Sequence, residues 1–437
     1  MIRLVAPLAL ALVAALPLRA QVAVQEITSP GGIDAWLVEE RSIPFVALEF
    51  AFRGGAVVDP DGLEGVTALM AAMLSEGAGD LDSRAFAAQT EALATSFRFN
   101  AGMDTVTISA SMLTENRDEA AALLRLALAE PRFDPDALER LRARAISGAR
   151  SDERNPNAIA GREFAAMFYP DHPYARRADG TAESLADITR GDLIAQHGKV
   201  LAHDRLHVSA VGDIDAEDLG DLLDYLLGWL PETGAPLPDR AATVAQPGLT
   251  VIDFDGPQSV VLFGHAGIPR DDDDFLTAFV MMEAFGGGRF GTRLMREVRV
   301  NRGLTYGIGA YLVSRGFGET VRGQFSTDNA RVGEAIAAVR AEWARMAEEG
   351  LSAEELASIQ TYLTGAYPLR FDGNGNIASI LVGMQLQGMP ADYMNFRNDL
   401  VDALTVEDIA AIAARVLDPE ALHFVVVGRP EGLEVAN

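Results

Sequence analysis

Thr189-Arg-Gly-Asp192-Leu193, followed by Leu206-His207-Val-Ser-Ala-Val211-Gly212, returns late in the chain as Thr405-Val-Glu-Asp408-Ile409, followed by Leu422-His423-Phe-Val-Val-Val427-Gly428. The offset is constant at 216 residues (189 to 405, 206 to 422). In each copy the Thr and the Asp three residues on form a capping box and predict a helix start, and the apolar run that ends in Gly predicts a buried strand. A second echo sets Phe133-Asp-Pro-Asp-Ala-Leu138 against Leu351-Ser-Ala-Glu-Glu-Leu356, at an offset of 218 (133 to 351). Repetition at this scale predicts two homologous halves.

Each half alternates short strand signals with longer helical segments. The strands are read at 46–52, 105–111 and 206–211, then at 259–263, 320–325 and 422–427. The fold class is therefore α+β: two mixed α/β domains, each a mixed sheet flanked by helices. Pro231-Glu-Thr-Gly-Ala-Pro-Leu-Pro238 separates a helix ending near Trp229 from a strand starting near Leu249 and marks the junction. The expected organisation is a leader over 1–20, a first domain over 22–231, a linker over 232–244 and a second domain over 245–434. The leader reading rests on Arg3, the apolar run from Leu4 to Leu18, and Ala20 as the residue before cleavage; it predicts export, with a periplasmic location.

Composition narrows the function classes. The 437 residues are 49% hydrophobic, enough for more than one core. A formal net charge of −27 argues against nucleic acid as a partner, because no basic stripe is present to neutralise phosphates. There is no Cys, so disulfides, thiolate metal sites and cysteine nucleophiles are excluded. A single lysine, Lys199, excludes a Walker-type phosphate loop. No stretch after the leader is long and apolar enough to cross a membrane.

Two further stretches carry a family resemblance. Met295-Arg-Glu-Val-Arg299-Val-Asn-Arg302-Gly-Leu-Thr-Tyr306-Gly-Ile-Gly-Ala-Tyr311 resembles the second-domain signature of the pitrilysin/insulinase family of inverted-zincin peptidases, the family of mitochondrial processing peptidase. Pro257-Gln258 and Gly365-Ala-Tyr-Pro-Leu-Arg370 extend the likeness, which covers nearly everything after the leader. The family's zinc helix carries H-x-x-E-H, two imidazoles at i and i+4 aimed at one ion with an interposed Glu to activate water. In the matching frame, Gly65 to Gly77-Ala78, the His positions hold Ala68 and Ala72 and the Glu position holds Ala71. The family's third ligand, a Glu on a later helix, falls within Ala145-Ile-Ser-Gly-Ala149, before Asn155-Pro156. That stretch has no carboxylate either.

The resemblance implies half of a clamshell and a divided active site. Arg299 and Tyr306, seven apart, match the family's Arg/Tyr pair, which reaches from the second domain toward the zinc. Arginine's planar fork can grip a peptide carbonyl or carboxylate, and a tyrosine hydroxyl can donate to an oxyanion. A plainer alternative makes Arg299 a surface ion-pair residue and Tyr306 a strand-start aromatic. The Gly286-Gly287-Gly288 turn is expected beside the substrate. Its match to G-x-G-x-x-G fails as a dinucleotide fingerprint, since a helical segment (275–285) precedes it where a strand is required. His203 and His207 have metal-pair spacing but lead into a strand; His172-Pro-Tyr174 resembles a family packing loop; Asp271 to Asp274 reads as a solvated loop. The reading is a non-metal-binding subunit that holds no cofactor itself. It would supply Arg299 and Tyr306 to an H-x-x-E-H partner chain that holds the zinc and hydrolyses peptides. The alternative is a catalytically inert peptide-binding or structural homologue.

Overall fold

The computed structural model describes residues 23–243 and 246–433; the leader expected over 1–20 lies outside the described residues. The strands in chain order are β1 (Gln25–Thr28), β2 (Asp34–Glu39), β3 (Phe45–Arg53), the two-residue β4 (Gly77–Ala78) and β5 (Leu81–Asp82), β6 (Ser96–Ala101), β7 (Thr105–Leu113) and β8 (Leu206–Gly212) in the first half. The second half contributes β9 (Gly248–Asp253), β10 (Gln258–Ala266), β11 (Ile308–Arg315), β12 (Gly318–Asp328) and β13 (His423–Gly428). All six strands read from the sequence are present, each extended by a few residues or shifted by one.

The repeat is realised over five strands of each sheet, with β1 an extra edge strand in the first. The first sheet runs β1-β2-β8-β3-β7-β6 and the second β11-β12-β10-β13-β9. In both, the strand that ends the repeat pairs parallel with one neighbour (β8 with β2, β13 with β9) and antiparallel with the other (β8 with β3, β13 with β10). The capping boxes at Thr189/Asp192 and Thr405/Asp408 open helices Arg190–Val200 and Val406–Val416. The glycine that ends each repeat strand is required by close approach. A Cβ on Gly212 would lie 2.2 Å from the Phe45 carbonyl oxygen, and one on Gly428 2.2 Å from Ser259 Oγ. One apolar core lies within residues 33–230 and another within 261–426, centred on side chains such as Phe50 and Leu223, and Phe263 and Trp343.

Each half lends a helix to the other's sheet. The Pro156–Phe168 helix of the first half packs Ile159, Phe164 and Phe168 on Val260, Leu262, Val425 and Val427 of the second sheet. In return the Asn374–Leu386 helix lays Ala378, Leu381 and Met384 on Trp36, Ala47 and Val211 of the first. Ser209 Oγ donates to the Ala378 carbonyl at 2.7 Å, and Gln385 Nε2 to the Val208 carbonyl at 2.7 Å. A sheet face that would otherwise be wet is thus covered by the opposite half, which locks the two together. Tyr174 adds a polar clasp. Its hydroxyl donates to Asp104 Oδ1 (2.7 Å) and accepts from the Phe317 amide (2.8 Å) at the tip of the β11–β12 hairpin. His172-Pro-Tyr174 therefore works across the halves and not only within its own loop. Asp272 and Asp274, read as solvated, both engage Arg415 of the Val406–Val416 helix.

His207, the first repeat's histidine, accepts at Nε2 from Arg53 Nε (3.2 Å), while the same arginine donates to the Leu386 carbonyl of the borrowed helix. Burial, together with the Arg53 guanidinium, pushes the imidazole down to about 4. The unfolded ring takes its proton near pH 6.5, so between pH 6.5 and 4 the unfolded chain binds the proton and the fold loses stability as pH falls. We expect this to cost about 1–2 kcal/mol, discounted for the exposed part of the ring. His207→Gln, which keeps an acceptor, should flatten the loss over that window in chemical denaturation. An equal slope in wild type and variant would contradict it.

Candidate functional site

The Val66–Met73 helix stands where the zinc helix is expected. Its start is fixed by Gly65, at φ +92, where a Cβ would meet the Asp179–Gly180 backbone at 2.9 Å. Asp59 accepts from the Gly65 amide (2.8 Å) and from Thr67, and Gln196 donates to Thr67 Oγ1 at 2.8 Å. Burial pushes the Asp59 carboxyl up to about 6. On this well-held helix Ala68 is half-buried and Ala72 exposed, while Ala71 is buried. The Pro135–Asp152 helix carrying Ala145 to Ala149 packs beside it. The methyl groups of Ala68, Ala71 and Ala72 offer no lone pair, Ala145 to Ala149 contains no carboxylate or imidazole, and among the described residues no group of three His, Cys, Asp or Glu is placed to hold a metal. The family's zinc does not fit these residues. Elemental analysis of the purified chain should accordingly find well under one zinc per chain; about one, retained through dialysis, would overturn this reading.

The second half has a cleft of about 600 Å³ lined by Gly286, Gly287, Gly288, Tyr306, Ile308, Gly309, Tyr311 and Gln324, with Asn157 from the first half. The structure thus brings the glycine turn and Tyr306 together; Ala68, Ala71 and Ala72 do not line this cleft. The turn follows the Phe275–Gly286 helix and leads to a second helical segment, as expected of a tight turn. Gly286 lets the helix end press on β11: a Cβ there would lie 2.6 Å from the Ala310 amide nitrogen. At Gly287 it would meet Glu283, and Gly288 has φ +75. Glu283 itself lines the cleft, and burial raises its pKa.

Arg299 lies in a π-helical turn, Met295–Asn301, a widened form of helix that is often found at functional sites. Its guanidinium sits between two rings, 4.4 Å from the Phe290 centroid and 5.0 Å from that of Tyr306. Both rings are exposed, Phe290 at 66% and Tyr306 at 88%. Cation–π contact with these rings holds the guanidinium, and no side chain or carbonyl among the described residues takes a hydrogen bond from its N–H groups. Arg299 makes no ion pair among the described residues, so the plainer alternative of a surface salt bridge does not apply. Arg302 does pair, with Glu297 at 2.8 Å. Phe290 and Glu283 were not singled out in the sequence. Phe290 adjoins the glycine turn, but nothing in its spacing announces a ring over Arg299.

Residues 36–180 match the family described as Insulinase (Peptidase family M16), and residues 187–363 match the Peptidase M16 inactive domain. The chain belongs to the M16 family. It is 27% identical over 375 residues to the Non-peptidase homolog YmxG of Helicobacter pylori, covering 85% of this chain and 86% of that one. An uncharacterized zinc protease of Mycobacterium leprae is 26% identical over 280 residues, which span 60% of each protein. Among solved structures, the peptidase M16 inactive domain from Pseudomonas fluorescens superposes with a TM-score of 0.88 at 28% identity, covering 95% of this chain and all of that one. The sequence relatives thus include proteins named as zinc proteases and one named as a non-peptidase homolog.

Proposed function

We propose that this M16 chain is the non-metal-binding subunit of a periplasmic heterodimeric zinc peptidase. The observation that carries the reading is the pairing of two features in one molecule. The zinc-helix frame is intact but holds Ala68, Ala71 and Ala72, while Arg299 lies over the exposed Tyr306 ring, its donors unpaired among the described residues, beside a glycine-walled cleft. A peptide bound between this cleft and an H-x-x-E-H chain would have its carbonyl or carboxylate gripped by Arg299. Tyr306 would donate to the oxygen that becomes negative as the scissile bond is attacked. β11 is an edge strand, and its Ile308, Gly309 and Tyr311 lie in the cleft, so an extended peptide could pair along it. The metal and the water-activating carboxylate would belong to the partner chain.

A second reading, an inert peptide-binding or structural homologue, is favoured by the likeness to a protein named a non-peptidase homolog. Assembly separates the two. Co-expressed with an H-x-x-E-H member of the family from the same source, the chain should elute as a one-to-one complex in size-exclusion chromatography. Elution only as a monomer or homodimer would favour the inert reading.

A further inference from the structure

A second cavity, of about 370 Å³, opens between the Phe275–Gly286, Asn374–Leu386 and Tyr393–Asp402 helices and is lined by Arg270, Arg370 and Arg397 together with Phe275, Tyr367 and Tyr393. Arg397 is only 6% exposed. Its guanidinium stacks 4.6 Å over the Tyr367 ring and donates to the Leu363 carbonyl (3.3 Å) and Asn398 Oδ1 (3.1 Å). Arg270 lies 4.0 Å over Phe275 and donates from Nε to Gln387 Oε1 at 2.6 Å.

None of the three arginines forms an ion pair among the described residues, in a chain with 63 acidic side chains against 36 basic ones. Outside the described residues the sequence has a single acidic side chain, Glu434. Arg397 favours the charged form of Glu283 at a distance but is not ion-paired with it. Arginine cannot shed its proton, so a buried guanidinium without a counter-charge is costly. Burial indeed pushes both Arg270 and Arg397 down. Carbonyl and amide oxygens meet some donors, but among the described residues no carboxylate pairs with any of the three guanidinium groups. The walls are aromatic, and aromatic faces suit an apolar body while the arginine and tyrosine donors suit an anionic head.

We propose that this cavity is a binding site for an organic carboxylate with an apolar body, its head held by Arg397 and Arg270, its body against Phe275 and Tyr367, and Arg370 at the rim. The inference rests on the cavity alone and stands or falls apart from the peptidase reading. Calorimetry on the full chain tests it with three probes: N-acetyl-phenylalanine, its uncharged amide, and inorganic phosphate. The acid should bind once per chain, with the amide and phosphate each at least about tenfold weaker. Arg270→Gln and the exposed Arg370→Gln should each weaken the acid several-fold, with thermal midpoints unchanged for Arg370→Gln. No binding of the acid at millimolar concentration, equal binding of acid and amide, equal binding of acid and phosphate, or unaltered affinity in both variants would overturn the proposal.

Discussion

Tyr306→Phe is expected to lower the kcat of the assembled heterodimer by ~10²-fold, with a smaller effect on KM. The substitution removes one hydroxyl and keeps the ring that stacks on Arg299, so neither the guanidinium's support nor assembly should change. A donor that acts on developing charge contributes mainly in the transition state, which is why the loss falls on kcat. Arg299→Ala should behave differently, raising KM as well as lowering kcat, because a group that grips the peptide acts on bound substrate and transition state alike. Arg302→Ala is the control. Its guanidinium is already engaged by Glu297, and removing it should be mild. Steady-state kinetics with assembly verified for each variant checks all three, and wild-type rates from both Tyr306→Phe and Arg299→Ala would make the pair structural.

Gly286→Ala should carry the largest stability cost among single substitutions at the cleft. The added methyl would lie 2.6 Å from the Ala310 nitrogen and 2.8 Å from its carbonyl oxygen, so the clash is with strand backbone and not with a side chain that can rotate away. The Phe275–Gly286 helix must then retreat from β11, opening the packing of Phe285 and Ala310 in the second core. Overpacking of this kind costs about 1–3 kcal/mol and moves the cleft wall with it. Gly288→Ala meets nothing within 4 Å and should cost less, through its positive φ alone. Denaturant midpoints of the two variants rank them; a milder Gly286→Ala than Gly288→Ala would contradict the packing role.

Much of the fold is legible because its signals are local. Thr189 with Asp192 and Thr405 with Asp408 announce helix starts within four residues, and the two runs ending at Gly212 and Gly428 announce buried strands. The reciprocal helices are not legible in this way. Asn374–Leu386 is apolar on more than one face, and which sheet it covers is decided by contacts with Trp36 and Val211, more than a hundred residues away. Likewise Tyr174 reads as a loop residue until the β11–β12 hairpin brings Phe317 to its hydroxyl. At the site, the Arg299 and Tyr306 spacing was readable and the glycine turn was placed beside it. The clamp by Phe290 was not, because it depends on a π-helical turn whose geometry departs from the 3.6-residue period on which sequence patterns rest. The negative evidence at Ala68, Ala71 and Ala72 was the plainest signal of all, since an alanine's chemistry needs no structure to be read.

The divided active site is tested most directly by complementation. Peptide hydrolysis is measured for this chain alone, for an H-x-x-E-H partner alone, and for the two mixed, each with and without a zinc chelator. The chain alone should be inactive, and mixing should raise the rate well above that of the partner by itself, in a form the chelator abolishes. Metal-independent hydrolysis by this chain alone, or a mixture no faster than the partner, would contradict the account.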